Sequence, residues 1–366
     1  MKILFLNYIP SPYRIDFFNE LAKHCELKVV YYNAEIAERP TWRYKTEDHH
    51  YEHFNLFRNE NKVQIKGFLK LRKLLKTHKD HTIVVGGYAR PVEIAAIAWL
   101  RAHHRPFVLN TDGGFYQGDG IKLKLKKWLV QSAAFYLANG TIAAKTLQQY
   151  GAKPENIYNY HFSSIFEREI TVAANDTRKE LRKKLQLPQN AKIVITIGRY
   201  IPLKGFELVI KALHLLKEPN TYLYMLGEGP QRKNYEQLIT GLDLKNRVIL
   251  TGEKQKNEVL DFCRAADCMV LPTLSSDVWG LVVNEAMSCG LPVIASDRVG
   301  AAYDMIKNGI TGFIVPADNV KAIAEAIKKI DAPIMRNKTI ETAKKYTIEQ
   351  MVEDHKVLFK KICQQQ

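Results

Sequence analysis

One stretch of the chain, Ser275–Ile294, combines a loop, a helix start and two carboxylates after an apolar strand. The pattern predicts that the helix begins at Gly280. The amides of Gly280, Leu281 and Val282 would then present N–H groups at the positive end of the helix dipole. Such a helix start is suited to binding a diphosphate.

Two carboxylates flank this predicted helix start. Glu285 lies one turn into the helix, where a carboxylate can accept two hydrogen bonds from the vicinal hydroxyls of a ribose. Asp277 lies in the preceding loop, where a sugar attached to the diphosphate would be placed. Both residues also have a purely structural interpretation, Glu285 as a solvated helix residue and Asp277 as a turn residue.

A second segment, Ile197–Gly205, carries two cations after a strand and a glycine. The guanidinium fork of Arg199 binds oxygen atoms bidentately, and the ammonium group of Lys204 acts as a point charge. Both would stabilise the negative charge that develops on a departing nucleoside diphosphate. Two cations in one loop of a basic protein are by themselves a weak signal.

Both segments belong to a repeated order of apolar strand, turn and helix. One series begins with the strand Lys2–Asn7 and a second with Lys192–Ile197. This order predicts the α/β class with two Rossmann-like, doubly wound domains facing across a cleft, with ligands at the carboxyl ends of the strands. The predicted segments are residues 1–170, 171–345 and a C-terminal helix in 346–366.

Composition and charge narrow the possible partners. The 366 residues are 46% hydrophobic and carry a net charge of +16, which favours anionic partners: phosphorylated substrates, an anionic membrane surface or nucleic acid. The longest apolar run, Ile94–Leu100, is far shorter than the roughly 20 residues of a membrane span. The five cysteines are scattered without a C-x-x-C pair, which predicts a reduced, cytoplasmic chain without structural zinc.

Taken together, the two segments resemble glycosyltransferase family 4, retaining enzymes of GT-B fold. The family's mark is two acidic residues separated by seven others and followed by A-M-x-x-G-x-P-V-I, which here are Asp277, Glu285 and Ala286–Ile294. Its G-R-x4-K-G motif matches Gly198–Gly205, and its G-x-G-P turn matches Gly227–Pro230. The similarity is close over about Lys192–Ile327 and loose in the N-terminal half.

The resemblance implies a role for each matching residue. Glu285 would hold the ribose, Arg199 and Lys204 the diphosphate, and Asp277 the hydroxyls of the donor sugar. The loop Gly252–Gln255 would line the base pocket. The donor-binding residues implied are Gly198, Arg199, Lys204, Gly227, Glu253, Lys254, Gly280, Leu281, Val282 and Glu285. The catalytic residues implied are Asp277, Lys204, Arg199 and Asp112.

Two departures from the family pattern concern these roles. The first acidic position is usually Glu, and Asp277 is one methylene shorter. Many members carry a histidine near the sugar where this chain has Asp112. A carboxylate there would bind a sugar hydroxyl or stabilise an oxocarbenium-like centre, or it would cap the following turn. No D-x-D triplet occurs in the sequence, so we expect no cofactor and no obligatory metal ion.

Two loops of the N-terminal half carry side chains suited to an acceptor. Tyr13 and Arg14 follow the first strand, and Tyr88 and Arg90 follow a later one. Tyrosine and arginine side chains bind sugar hydroxyls and phosphates, which predicts an acceptor site. The alternative, that they only pack their loops, stays open.

Two further stretches, residues 68–76 and 121–129, are basic and amphipathic. Interleaved apolar residues and lysines are typical of helices that lie on an anionic membrane surface, although most basic helices are merely solvated. In similar enzymes the C-terminal helix returns to the N-terminal domain, and the sequence permits this arrangement.

The resulting expectation is a metal-independent, retaining transferase of the surface-polysaccharide (capsular) type, cytoplasmic or peripheral on the inner face of the membrane. It would move a hexose from a nucleotide sugar, UDP favoured over GDP, to a hydroxyl of a glycan or lipid-linked acceptor. Another GT-B enzyme, such as a sugar-nucleotide epimerase or a phosphorylase, is the alternative. The first strand lacks G-x-G-x-x-G, which disfavours a dinucleotide oxidoreductase. No nucleic-acid-binding module is recognisable, so we expect no nucleic acid partner.

Overall fold

The chain forms two α/β units, each built on one parallel β-sheet whose strands are joined by helices. Unit 1 comprises residues 1–164 and 347–366, and unit 2 comprises residues 165–346. The predicted fold class, α/β with two Rossmann-like doubly wound domains, is thereby confirmed. The structure is a computed structural model that describes residues 1–33, 48–57, 65–116, 120–171 and 174–365.

Unit 1 is organised by a seven-stranded parallel sheet. Its strands are β1 (Lys2–Asn7), β2 (Glu26–Asn33), β3 (Glu52–Phe57), β4 (Thr82–Gly86), β5 (Val108–Thr111), β6 (Phe135–Ala138) and β7 (Ile157–Asn159). Their spatial order is β3-β2-β1-β4-β5-β6-β7, so the order reverses direction between β1 and β4. Strand β1 is buried at every position after Lys2, as expected for a central parallel strand.

Helices connect these strands. They are α1 (Pro12–Ala22), α2 (Ile65–Thr77), α3 (Pro91–Ala102), α4 (Gly120–Val130) and α5 (Thr141–Gln149). Pro12 and Pro91 occupy the first helical positions, where the missing N–H costs no intrahelical hydrogen bond. The loops before α1 and α3 therefore end at these prolines. The predicted acceptor residues Tyr13, Arg14, Tyr88 and Arg90 lie next to or close to them in the chain.

Unit 2 has a six-stranded parallel sheet in the order β10-β9-β8-β11-β12-β13, which reverses direction between β8 and β11. Its strands are β8 (Lys192–Ile197), β9 (Thr221–Leu226), β10 (Val248–Gly252), β11 (Cys268–Leu271), β12 (Val293–Ser296) and β13 (Gly312–Val315). Its helices are α6 (Asn175–Lys184), α7 (Phe206–Leu216), α8 (Arg232–Gly241), α9 (Lys256–Ala265), α10 (Val282–Ser288), α11 (Ala302–Met305), α12 (Val320–Lys329) and α13 (Ala332–Ala343).

The last helix, α14 (Ile348–Gln365), is part of unit 1 and packs against α1. Its buried face includes Met351, Leu358 and Phe359. Within the described ranges, no helix combines the length and the apolar content that crossing a bilayer requires.

The unit boundaries differ slightly from the predicted ones. The first lies between residues 164 and 165 rather than 170 and 171, and the second between residues 346 and 347 rather than 345 and 346. Two long-range contacts attach the residues that follow the first boundary to the rest of unit 2. Lys256 donates to the carboxylate of Glu169 at 2.8 Å, and the amide of Thr171 donates to the carbonyl of Ser288 at 3.1 Å. A local sequence pattern does not contain such contacts.

Candidate functional site

In unit 2, the loops after β8, β9 and β10 are joined by backbone hydrogen bonds at the carboxyl edge of the sheet. The amide of Gly198 donates to the carbonyl of Leu226 at 2.9 Å, and the amide of Gly227 donates to the carbonyl of Gly252 at 2.9 Å. Gly227 has a φ of +152°, and a Cβ at this position would overlap the carbonyl oxygen of Gly198. Only glycine allows this close approach.

The loop after β8 is anchored by a buried tyrosine. The hydroxyl of Tyr200 donates to the carbonyl of Met225 at 2.7 Å, and its amide donates to the carbonyl of Glu228 at 2.8 Å. The neighbouring Arg199 is exposed and forms no ion pair with any described residue. Its guanidinium group is therefore available for an anionic ligand.

Lys204 and Asp277 form an ion pair that joins the loops after β8 and β11. Their Nζ and Oδ2 atoms are 2.5 Å apart, and each side chain is about one-fifth exposed, 19% and 18%. The backbone holds both loops in place, since the amide of Leu274 donates to the carbonyl of Leu203 at 2.9 Å. Because β8 and β11 flank the point where the strand order reverses, the pair lies where open α/β sheets bind ligands.

The helix after Asp277 begins later than predicted. Helix α10 begins at Val282, whereas Gly280 has a φ of +90° and lies in the turn before it. The amide of Val283 donates to the carbonyl of Gly280 at 2.9 Å. The amides of Leu281 and Val282 precede this bond and have no intrahelical acceptor. The prediction of a helix start at Gly280 was wrong by two residues, because the positive φ keeps Gly280 outside the helix.

Glu285 is a partly buried carboxylate in the first turn of α10. Burial raises the pKa of Glu285 to about 7, with the positive charge of Lys256 opposing the rise and Glu169 adding to it. Lys256 is itself paired with Glu169 at 2.8 Å. Glu285 therefore gains or loses its charge near neutral pH.

The loop predicted to line the base pocket, Gly252–Gln255, includes Glu253 and Lys254, which follow strand β10. Glu253 is exposed, and the ammonium group of Lys254 lies 3.4 Å from the carboxylate of Glu258. Both precede α9 at the same edge of the sheet as the loops described above. The structure thus collects the predicted donor residues along one edge of unit 2.

In unit 1, Asp112 and Arg14 lie at the corresponding edge. Asp112 follows β5 with 56% of its side chain exposed, and its carboxylate accepts a hydrogen bond from the guanidinium group of Arg14. Arg14 is only 3% exposed. The amide of Gly113 donates to the hydroxyl of Thr111 at 3.1 Å, so Thr111 caps this amide of the turn. Arg14, predicted as an acceptor contact, has Asp112 as its direct partner because its side chain is buried.

The remaining predicted acceptor residues are held by aromatic neighbours. The guanidinium group of Arg90 lies 3.5 Å from the centroid of the Tyr8 ring and is partly exposed. Tyr13 packs edge-on against Phe162 with ring centroids 5.8 Å apart. Burial raises the pKa of Tyr88, whose ring lies edge-on to Tyr150 at 6.2 Å.

Sequence reasoning missed Glu93, which shapes the loop carrying Tyr88 and Arg90. Glu93 is fully buried and accepts hydrogen bonds from the amides of Ala89 and Arg90 at 2.7 and 2.9 Å. Burial raises its pKa, and the nearby Arg90 opposes the rise. The signal was present in the sequence, because Pro91 followed by Glu93 is typical of a helix N-terminus.

The described part of the chain contains no group of three or more histidine, cysteine, aspartate or glutamate side chains arranged to hold a metal ion. The candidate site of unit 2 instead combines two cations, two carboxylates and the first-turn amides of a helix. These groups bind phosphate oxygens and hydroxyl groups.

Comparisons with known proteins find glycosyltransferases. Residues 177–346 match the family described as glycosyl transferases group 1. The lipopolysaccharide core biosynthesis glycosyltransferase LpsD of Rhizobium meliloti is 34% identical over 179 residues, which are 47% of this chain and 50% of the relative. The chain spans about half the length of the first curated relatives it matches.

Solved structures resemble the chain over nearly its whole length. HepE of Anabaena in complex with UDP has a TM-score of 0.80 at 20% identity, covering 99% of this chain and all of HepE. Sucrose-phosphate synthase of Thermosynechococcus elongatus has a TM-score of 0.79 at 18% identity, covering all of both chains. The fold of the chain is therefore that of the GT-B glycosyltransferases, and residues 177–346 match glycosyl transferases group 1.

Proposed function

We propose that the chain transfers a hexose from a nucleoside diphosphate sugar to a hydroxyl of a glycan or lipid-linked acceptor during surface polysaccharide assembly. The observation that carries this proposal is the Lys204–Asp277 pair at the strand-order reversal of unit 2. It places a cation for the diphosphate beside a carboxylate for sugar hydroxyls. The group 1 match and the relatives named for lipopolysaccharide synthesis support it.

The proposed donor contacts follow from the chemistry of each group. Arg199 and Lys204 bind the diphosphate together with the amides of Leu281 and Val282. Glu285 accepts hydrogen bonds from the ribose hydroxyls in its ionised form. The glycines of the site, Gly198, Gly227 and Gly280, allow the backbone to come close to the ligand, and Glu253 and Lys254 border the base. A UDP-sugar is favoured over a GDP-sugar, in line with the UDP bound by HepE.

The proposed reaction retains the configuration of the sugar. The bond between the anomeric carbon and the diphosphate oxygen breaks, and the acceptor oxygen bonds to the same face of that carbon. The acceptor hydroxyl gives its proton to the departing diphosphate oxygen. Arg199 and Lys204 stabilise the negative charge that develops on the leaving diphosphate. Asp112 stabilises positive charge that develops on the sugar. In this proposal Arg199 and Lys204 stabilise the charge on the diphosphate that a metal ion stabilises in other enzymes. The reaction therefore has no obligatory divalent ion.

The first test is a panel of nucleotides and nucleotide sugars. UDP should raise the melting temperature of the purified chain, NAD and DNA should leave it unchanged, and one UDP-sugar should be hydrolysed slowly without acceptor. Stabilisation by GDP alone would reassign the base. Interconversion of the sugar without release of UDP would indicate an epimerase, and phosphate-dependent turnover would indicate a phosphorylase.

The metal requirement is tested in the same assay. Hydrolysis should persist after exhaustive treatment with EDTA and removal of the chelator. A loss of activity that magnesium restores would overturn the metal-free mechanism.

A further inference from the structure

Arg14 is a buried cation at the carboxyl edge of the unit 1 sheet. It lies in the first turn of α1 and is 3% exposed, whereas its partner Asp112 is 56% exposed. The guanidinium Nη2 donates to Oδ1 of Asp112. An exposed carboxylate at the carboxyl edge of this sheet is thus bound by a buried guanidinium group.

Aromatic and polar side chains enclose the Arg14 guanidinium. It lies 5.1 Å from the centroid of the Phe162 ring. The buried Tyr160 lies beside it, and burial raises the pKa of Tyr160 to about 12, with the charge of Arg14 opposing the rise. Asn110, in β5, is also buried, and it too opposes the rise in the pKa of Tyr160.

Helix α14 closes this cluster from the other side. His355 is completely buried, with its ring 4.6 Å from that of Tyr160 and 4.7 Å from that of Phe17. Burial, together with a smaller effect of the Arg14 charge, lowers the pKa of His355 to about 4, so the imidazole is neutral at pH 7. The histidine therefore adds no positive charge beside Arg14.

Burying a guanidinium group is costly unless a carboxylate or hydrogen bonds compensate it. Burial opposes the charge of Arg14, but Asp112 and the neighbouring tyrosines raise its pKa overall. The ion pair with Asp112 thus compensates the buried charge. The same contact limits the directions in which the Asp112 carboxylate can point, because the guanidinium fork is planar and rigid.

We propose that Arg14 is a positioning residue that holds the Asp112 carboxylate in the orientation needed to stabilise the reacting sugar. This role rests on the proposed function and replaces the acceptor contact predicted from the sequence. Arg14 acts through Asp112 and does not touch the substrate. Tyr160 and His355 pack the guanidinium group into place.

The test measures hydrolysis of the active UDP-sugar without acceptor, for wild type, Arg14→Lys, Arg14→Met, Asp112→Asn and the double variant Arg14→Met/Asp112→Asn. Arg14→Met should lower kcat by roughly 10- to 100-fold, because misplacing a catalytic group by about an ångström has an effect of this size. KM for the donor should stay within about twofold, since donor binding belongs to unit 2. Arg14→Lys, which keeps the charge, should recover part of the loss.

The double variant separates positioning from a purely structural role. Once Asp112→Asn has removed the carboxylate charge, Arg14→Met should lower kcat little further, because residues that act as a unit are not additive. Additive losses in kcat would overturn the proposal, as would an unchanged kcat or a change confined to KM. If Arg14→Met does not fold, Arg14→Lys and the double variant Arg14→Lys/Asp112→Asn take its place, and additive losses in kcat again overturn the proposal.

A matched control is Arg105→Met, in the same unit. Arg105 donates to the carbonyls of Leu75 and His81, at 2.5 and 3.0 Å, and precedes the amino end of β5. Arg105→Met should lower the melting temperature but not kcat. A loss of kcat equal to that of Arg14→Met would count against positioning. If wild type hydrolyses no nucleotide sugar, the proposed function fails and this role fails with it. If only the Arg14 results disagree, the proposed function stands.

Discussion

The ammonium group of Lys204 already has a partner, Asp277, and this pairing defines what the lysine does in the proposed reaction. A bound diphosphate would compete with Asp277 for the same ammonium group. Charge-assisted hydrogen bonds strengthen as charge develops on the leaving group, so the lysine would favour the diphosphate in the transition state. Asp277 would then be available to the sugar hydroxyls.

Replacing Lys204 by Ala should lower turnover of the nucleotide sugar by about 10²–10³-fold, by analogy with the loss of one oxyanion donor. The variant also leaves Asp277 without its partner beside the diphosphate, which adds repulsion. Steady-state hydrolysis of the donor measures both effects. The control is Lys211→Ala, an exposed lysine on α7, which should leave the rate unchanged. Equal rates for wild type and Lys204→Ala would remove the lysine from the mechanism.

Glu285 should make nucleotide-sugar binding depend on pH. Only the ionised carboxylate accepts both ribose hydrogen bonds, and burial raises the pKa of Glu285 to about 7. The ionised fraction therefore rises between pH 6 and pH 8, and affinity should rise about tenfold over that interval. Isothermal titration calorimetry with an intact UDP-sugar measures the affinity at each pH. The diphosphate of this ligand has no group that titrates between pH 6 and pH 8, so the ligand adds no pH dependence of its own. Glu285→Gln should bind more weakly and without this dependence, and a pH-independent wild type would exclude the role.

Residue types, spacing and the family resemblance predicted roles for Asp277, Lys204 and Asp112, but they did not reveal which side chains pair. Lys204 and Asp277 are 73 positions apart, and Arg14 and Asp112 are 98 apart. Such pairs form because β8 lies beside β11 and because β1 and β5 share a sheet. Strand order depends on tertiary packing, which a single sequence does not display locally.

At the scale of elements, the turn between β9 and α8 fixes the loops at the carboxyl edge of the unit 2 sheet. Its glycine, Gly227, touches the loop after β8 through the Gly198 carbonyl and the Tyr200 ring. The turn therefore holds the loop that carries Arg199 through backbone hydrogen bonds with Tyr200.

Gly227→Ala should destabilise the chain by roughly 2–4 kcal/mol, because a Cβ would force the β8 and β9 loops apart at a positive φ. Urea unfolding followed by circular dichroism measures the loss, and nucleotide binding should weaken in the same variant. Gly241→Ala, at the end of α8, is the control, because a Cβ there meets no atom within 4 Å. The control should be neutral or more stable by about 0.5–1 kcal/mol. Equal stability of the two variants would contradict the role of Gly227.

The sequence pattern predicted the central strands well and the short peripheral elements poorly. The bounds predicted for β1 and β8 agree with the structure, because uninterrupted apolar runs mark buried parallel strands. Strand β13, Gly312–Val315, was not assigned, since four residues with a mixed burial pattern carry little periodicity. The start of α10 was misplaced because the backbone conformation of Gly280 is not encoded in a hydrophobic pattern.

At the scale of the whole molecule, the net charge of +16 is concentrated in part on two helices of unit 1. Helix α4 exposes Ile121 and Trp128, 85% and 37% respectively, before and after its four lysines. Helix α2 exposes Ile65 and Leu69. We propose that the basic, partly apolar surface of α4 binds an anionic membrane that carries a lipid-linked acceptor.

The full chain should co-sediment with vesicles containing anionic phospholipid at low salt, and binding should fade as salt rises. The double variant Lys122→Glu/Lys124→Glu on α4 should abolish binding. The variant Lys321→Glu/Lys329→Glu on α12 changes the net charge equally and should still bind. Failure of the wild type to bind at low salt would rule out this surface, and equal losses in both variants would reduce it to a general charge effect.

The composition of unit 1 from two separate stretches, residues 1–164 and 347–366, has a consequence for biosynthesis. On the ribosome, the second stretch is made only after all of unit 2, a delay of roughly 10–40 s at ordinary elongation rates. Unit 2 is continuous in the chain and can complete its sheet while the nascent N-terminal half waits for α14. Until then Phe17 on α1 lacks the His355 ring that covers it. The half of the protein that is translated first is therefore the last to finish folding, and chaperones would find it exposed in that interval.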